Sequence, residues 1–507
     1  MNRGPTNQGA TSRAFPALAQ RGFVVPGRVK AAAYESASSA GARGRTWRTS
    51  GAGPSAAAVE NLPLMRSRSR DAIRNDPWAK TAIARLVSNT IGTGIQPHPQ
   101  HPDKATQQRL KQLWDDWVKE ADHDGLLDVY GQQTLAARAF FSDGEVLLRR
   151  RYASPSDGLS VPLQLQLLEG DLLPVEKNEA RAGGGEILHG VEFDANDKRI
   201  AYHLYRRHPG EYNRLNTGGM ATVPVPAHDI AHVFQPLRPG QIRGVPELAT
   251  VLLRLHSLDN FDDAVLFRQE VSNLFAGFVT KPASVPMGPG ADIDPMTGQQ
   301  IVYDSDGFSP VVSLEPGSMQ ELAPGEEVEF ATPPGAGNDY APFMRQQLMA
   351  AAASVGMPYE VLTGDLREVS DRVLRVLLNE FRRAIEQLQW NIFIHQYCNR
   401  VWAWWIDACA LAGAIPMPDF HRSRREYLRV RWVPQGWPYI NPVQDVNAQK
   451  LAIRAGLTSR SASVLKQGED PEQVDQENAA DNTRADGLGL QYDSDPRARD
   501  VAGDTPT

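Results

Sequence analysis

The sequence predicts an α+β protein, predominantly helical, on three observations. Apolar residues recur every three or four positions over several long stretches, the period of a helix with one face against a core. Between residues 145 and 234 that period gives way to short strand-like runs bounded by turn residues, as in a small antiparallel sheet beside helices. From Lys281 to Asn338 a Pro- and Gly-rich excursion then separates two helical stretches, and no internal repeat is present.

Taken in order, residues 1–60 are rich in Ala, Gly, Ser and Arg without sustained periodicity and read as a basic flexible arm. A helix opens at Asp76-Pro77, carries Ile83, Val87 and Ile91 on one face and stops at Gly92. Residues 103–120 form the next, burying Leu110, Trp114 and Trp117 together. A third, near residues 132–141, ends at Asp143-Gly144 and feeds a strand from Glu145 to Arg150. Further strand-like runs follow at 163–168, 187–193, 200–205 and 230–234. Residues 61–240 thus read as one helix-plus-sheet unit.

Gln241-Ile242-Arg243-Gly244 then leads into Val245-Pro246-Glu247, with proline at a first-turn position where its missing N–H costs nothing, and a helix runs to about Phe275. Roughly 30 residues at 1.5 Å each would make it about 45 Å long, so it needs a long neighbour. The excursion carries short β-type runs, Ile301-Val302-Tyr303 and Val311-Val312-Ser313-Leu314. Asn338-Asp339 serves as the N-cap of the second helix, which Gly356 and Pro358 close. After Asp365, Leu374, Leu377, Phe381, Ile385, Leu388 and Ile392 begin a helical pattern that continues with a break to Gly413, about 45 residues, with Asp365-x-x-Glu368 as its capping signature. Residues 442–456 make another helix, and residues 468–507 read as an acidic disordered tail.

At 507 residues, 41% hydrophobic and 22% charged, the chain has an ordinary globular composition and room for more than one subdomain. The net charge of −7 conceals a polarity: residues 1–70 hold eleven Lys/Arg against two Glu, and residues 468–507 hold eleven Asp/Glu against three Arg. No run of 18 apolar residues occurs, which argues against a membrane span. Cys398 and Cys409, eleven positions apart in one helical stretch, lie about 16 Å apart along the axis, too far for a disulfide, and their Ile, Val and Trp neighbours mark them as core.

Catalytic patterns are missing. His228 and His232 fall in a strand-like setting, where residues four apart lie about 13 Å from each other and cannot share a zinc ion. No Gly-x-x-x-x-Gly-Lys-Ser/Thr loop and no Gly-x-Ser-x-Gly elbow occurs, so no ATPase or serine hydrolase is legible. Asp115-Asp116 and Asp262-Asp263 read as solvated helix faces, because adjacent helical side chains diverge. The aromatics Trp390, Phe393, Tyr397, Trp402, Trp404 and Trp405 have apolar rather than basic neighbours, and read as core or subunit contact rather than a base-stacking platform.

Several stretches carry a resemblance. Residues 223–234 (Val-Pro-Val-Pro-Ala-His-Asp-Ile-Ala-His-Val-Phe), 238–246 (Arg-Pro-Gly-Gln-Ile-Arg-Gly-Val-Pro), 322–330, 355–365 (Val-Gly-Met-Pro-Tyr-Glu-Val-Leu-Thr-Gly-Asp) and 432–457 resemble the lambda-type portal proteins of tailed bacteriophages, in family order over roughly residues 30–470. The family commonly has an Asn-Tyr-Ser-Ser-x-Arg run after the Gly-Asp, whereas this chain reads Leu366-Arg367-Glu368-Val369-Ser370-Asp371-Arg372, so only Ser370 and Arg372 carry over.

The resemblance implies a wing (61–240), a stem helix (241–280), a clip (281–338), a second stem helix (339–358), a tunnel loop (359–373) and long wing and crown helices (374–467). It further implies a homo-oligomeric ring of about twelve subunits at one capsid vertex of the virion, assembled in the host cytoplasm. Double-stranded DNA would pass through the ring, driven by the terminase large subunit, and major capsid or scaffold protein and head-tail connector proteins would dock on it. No enzyme activity, metal, cofactor or membrane is implied. Arg367, Ser370, Arg372 and Arg375 are the candidate channel residues; the plain alternative pairs Arg367 and Arg372 with Glu368 and Asp371 on a helix surface. Physics supports a ring independently, since heterologous contacts that close around an axis leave no open edge. A subunit of net charge −7 is also a poor non-specific DNA binder, which suits sliding. Two other readings are a capsid-associated nuclease or protease, which needs a catalytic constellation, and a head-tail adaptor without a channel.

Overall fold

The computed structural model describes residues 50–211, 221–274, 278–280, 327–329, 340–367, 369–437, 439, 441–490 and 492. The chain divides into two units, Met1–Ala57 and Ala58–Thr507. Of the first, the described residues hold the start of α1 (Pro54–Val59). The second contains everything that follows.

Its helical frame begins with α2 (Leu62–Asn75) and α3 (Pro77–Thr90), joined at Asp76. The Asp76 carboxylate accepts hydrogen bonds from Trp78 N at 2.7 Å and Ala79 N at 2.9 Å, satisfying two of the donors a helix start leaves open. Helix α2 lies outside the sequence expectation because it buries Arg66 and Ser69 where apolar residues would signal a core face. Then come β1 (Gln96–Pro99), α4 (Lys104–Trp117), capped by Asp103, and α5 (Val129–Asp143), capped by Asp128. Gly144 ends α5 at φ 86°, and a Cβ there would stand 2.2 Å from the Val245 backbone, so only glycine fits.

Two antiparallel sheets follow. The strands are β2 (Glu145–Tyr152), β3 (Leu163–Glu169), β4 (Glu179–Ala180), β5 (Glu186–Leu188), β6 (Val191–Phe193), β7 (Arg199–Tyr205), β8 (Thr222–Pro226) and β9 (Ile230–Phe234). One sheet has the order β3-β2-β9, with Leu147 opposite both Leu168 and His232; the other is the meander β4-β5-β6-β7-β8. The run expected as one strand at 187–193 is a hairpin, because His189 and Gly190 both take positive φ and turn the chain back. A small core of Leu147, Leu173, Tyr202, Leu204, Val225 and Ile230 fills the space between the sheets.

A 3-10 turn (Glu247–Thr250) opens α6 (Leu252–Leu274), whose 23 residues make it about 35 Å long at 1.5 Å each, shorter than the sequence suggests. β10 (Phe278–Thr280) pairs with β11 (Glu327–Glu329), so the excursion leaves and returns side by side. The β-type runs at 301–303 and 311–314 and the Asn338-Asp339 cap lie outside the described residues. α7 (Tyr340–Ser354) packs antiparallel to α6: Arg254 reaches Gln347 at 2.9 Å and Tyr340 Oη donates to Asp262 at 2.8 Å, while Phe261 stacks on Tyr340 and meets Phe343 at a tilt.

After α8 (Tyr359–Thr363), α9 (Asp371–Leu388), a π-helical segment (Gln389–Cys398) and α10 (Asn399–Ala412) form one continuous helix, ended by Gly413 in the left-handed region. The expected break is thus a change of pitch. The Gln389 side chain donates to Thr90 O at 2.9 Å, and Gln396 bonds both N and O of Phe234, so the widened turn fixes the end of α3 and the edge of β9. The Asp365-x-x-Glu368 cap is a correction: α9 starts at Asp371 with Ser370 as N-cap, because Asp365 spends its carboxylate on Arg367 and Tyr359. Glu368 lies outside the described residues.

The main core joins α3, α4, α5 and the sheet to the π segment and α10, with Trp114, Trp117, Trp402 and Trp405 clustered at ring centroid distances of 5.0 to 6.2 Å. Both cysteines are buried and free, and the aromatic run is core except for the exposed Trp390. The chain continues through α11 (Phe420–Tyr427), β12 (Val430–Val433), paired antiparallel with β1, α12 (Pro442–Arg454) and α13 (Arg460–Lys466). The segment expected as an acidic disordered tail is instead helical over α14 (Pro471–Leu488), with Asp470 capping it and reaching Lys111 on α4, while residues 491 and 493–507 lie outside the described residues. Among the described residues no helix is long and apolar enough to cross a membrane.

Candidate functional site

Two features organise the surroundings of α6 and α7. The first is a buried charge cluster where the Gln241-Ile242-Arg243-Gly244 stretch enters α6. Glu145, the first residue of β2, is fully buried and accepts from Arg243 Nε at 2.8 Å and Nη2 at 2.5 Å, Arg66 Nη2 at 2.6 Å, His232 Nε2 at 3.0 Å and Gly244 N at 2.9 Å. Arg243 places its remaining donors on the carbonyls of Gly170, Leu173 and His189. Arg70 bridges Asp143 and Asp171 at the cluster's edge. Burial alone would raise the Glu145 carboxyl, yet Arg243, Arg66 and His232 outweigh it and hold it well below the usual carboxylate range. Burial keeps His232 below its ordinary value, so the imidazole is neutral and donates from Nε2 to the ionised Glu145. A Cβ on Gly244 would stand 1.9 Å from Gly144 O. These contacts lock α2, both sheets and the root of α6 together.

The second feature is the segment between α7 and α9. Gly356 and Gly364, both at positive φ, bracket α8. Arg367 is exposed and grips Asp365 with two bonds, Nε to Oδ1 at 2.8 Å and Nη2 to Oδ2 at 2.9 Å, and this pairing drives the Asp365 carboxyl far below its ordinary value. Ser370 caps α9 through its backbone, its side chain making no cap bond. Arg372 is exposed on the first turn of α9. Arg375 is half-buried and turns instead into a cleft with Arg382, Glu386, Asp445 and Lys466. The four candidates therefore do not converge: Arg367 and Arg372 lie on the surface, and Arg375 faces the helices behind.

The other sequence candidates separate as well. His228 sits exposed in a 3-10 turn (Ala227–Asp229) while His232 is buried in β9, so the pair does not share one strand as expected. Asp115 and Asp116 are exposed, and Asp262 ties α6 to α7. Glu169, Asp171 and His208 approach one another closely enough for a metal, but Arg66 and Arg70 already occupy Asp171. Sequence reasoning missed the Glu145 cluster, whose members are scattered over residues 66–244; the one local signal was a glutamate placed directly before the apolar run Val146-Leu147-Leu148.

Residues 40–389 match the phage portal protein, lambda family. The chain belongs to that family. A probable portal protein of Halomonas phage phiHAP-1 is 26% identical over 84% of this chain and 81% of its own length, and portal protein B of Escherichia phage lambda is 19% identical over 85% of each. Among solved structures, a chain from the neck of a native gene transfer agent particle is 13% identical, with a TM-score of 0.40, covering 80% of this chain and 94% of that one. For this portal chain, membership rests on the family match.

Proposed function

We propose that this phage portal protein assembles into a closed ring of about twelve subunits at one capsid vertex, with a central channel for double-stranded DNA. In that reading the terminase large subunit drives the genome inward, and connector proteins attach as the head is completed. The observation that carries it is the apolar surface left on α6 and α9: Leu253, Leu266 and Phe267 are 70%, 62% and 66% exposed, and Val376 is 65% exposed. An isolated subunit would show these to water, whereas copies related by rotation bury them in turn. Sedimentation and end-on imaging of the purified chain test it. A ring-sized mass with a central hole is expected, and a compact monomer at high concentration would overturn it.

Within the ring, Arg367, Ser370 and Arg372 form the tunnel loop that touches DNA, with Arg375 anchoring its far end. A few exposed arginines on a subunit of net charge −7 give transient phosphate contacts without a grip. The R367A/R372A variant is expected to form normal rings yet change DNA packaging or retention. Normal packaging and retention would remove the loop-contact role.

A further inference from the structure

Far in sequence from the tunnel loop, a cleft of about 460 Å³ opens between β7, β9 and the π segment. Arg199, Arg400, His395, Asn399, Tyr202 and His232 are among its lining residues, and no carboxylate is. Every other arginine-rich recess described above contains its own acids: Arg375 and Arg382 share theirs with Glu386 and Asp445, and Arg66 and Arg70 meet Asp171. Arg199 instead lies over the Phe234 ring at 5.5 Å and hydrogen-bonds Tyr202, and neither it nor the exposed Arg400 forms an ion pair among the described residues. The nearest buried acid, Glu145, sits behind His232 and is already neutralised by Arg66 and Arg243. The cleft thus keeps an uncancelled positive field.

His232 supplies a second, independent observation. Its ring is buried, Nε2 is committed to Glu145, and Nδ1 has no hydrogen-bond partner among the described residues. Because Glu145 is ionised and can only accept, Nε2 carries the proton and Nδ1 presents a bare lone pair. A buried acceptor without a donor is costly. Two guanidinium groups without an acid and an acceptor without a donor, all on residues that line one cleft, define one ligand chemistry.

We propose that this cleft binds a hydrogen-phosphate-type oxyanion, held between Arg199 and Arg400, with its hydroxyl directed to His232 Nδ1. Guanidinium forks match phosphate oxygens, and the one protonated oxygen meets the lone pair. Since Gln396 of the same π segment ties β9 to the long helix, an occupied cleft would stiffen that joint.

The test is phosphorus NMR of inorganic phosphate with the full-length protein at pH 7.5 and constant ionic strength. Line broadening proportional to protein concentration is expected, abolished by R400Q, a substitution at an exposed residue that leaves the core intact. Absence of broadening, or equal broadening in R400Q, would overturn the site. Competition then separates the chemistries. Sulfate, a tetrahedral dianion without a hydroxyl, should compete roughly tenfold less well, the weight of one lost hydrogen bond; equal competition would refute the role of His232. Displacement of phosphate by a short DNA duplex would assign the cleft to nucleic acid and overturn the small-oxyanion reading.

Discussion

Replacing Glu145 with glutamine tests the central joint most directly. The substitution keeps the shape and removes the charge, so Arg243 and Arg66 keep at most a neutral amide oxygen in place of their buried counter-ion; Arg243 retains the carbonyls of Gly170, Leu173 and His189, and Arg66 keeps Asp171. The new amide also points a donor at a site where two guanidinium groups, the His232 Nε2–H and the Gly244 N–H all donate. Breaking a buried ion pair from one side costs about 3–5 kcal/mol, and the loss here concentrates on the fully buried Arg243. At about 2–4 °C per kcal/mol for a large domain, the melting temperature should fall by about 6 °C or more. Urea denaturation at low protein concentration, with the m-value unchanged, measures the free energy, and E145Q/R243M should recover part of it by removing the stranded cation. A loss below about 1 kcal/mol for E145Q would refute the view that this cluster holds the root of α6.

Other expectations follow from the same contacts. His232 is held below its ordinary pKa by burial, against Glu145 and with Arg199 and Arg243 nearby, so the unfolded chain takes up its proton first. Stability should be full above about pH 6.5 and decline as pH falls toward the folded value; H232Q should flatten that slope in pH-dependent melting curves. Asp76→Ala removes the cap between α2 and α3 and should cost about 1 kcal/mol in urea denaturation, with Asp76→Asn largely neutral. Gly244→Ala would force a methyl group into the Gly144 carbonyl, so soluble yield and near-ultraviolet circular dichroism should both collapse; a folded variant would contradict the close approach.

Much of the helical frame was legible because caps and stops have local chemistry. Asp76-Pro77, Asp103 and Gly144 announce their helices within a few residues, and the alternation in β3 marks the sheet. Helix α2 was not legible, since Arg66 and Ser69 take core positions that only a distant Glu145 and the Ser142 carbonyl can satisfy. The start of α9 was misread for a related reason: Asp365 has a local competitor, Arg367, that a capping motif does not reveal. The acidic composition of residues 468–507 hid a helix, because α14 is stabilised by its Asp470 cap and by Lys111 far back in the chain. Among the candidate arginines, spacing alone could not tell that Arg375 turns inward while Arg372 stays out.

The pairing of β1 with β12 has a consequence for synthesis. Gln96 meets Val433 and Pro99 meets Val430, so a strand made early on the ribosome stays without its neighbour until most of the polypeptide has emerged. Trp432, on that late strand, also rests against Trp402. Closure over so long a loop is slow, and until it happens the apolar surface that Trp432 covers stays open to other nascent chains. Chains cut short before residue 430 should therefore aggregate even with α2 through α10 complete.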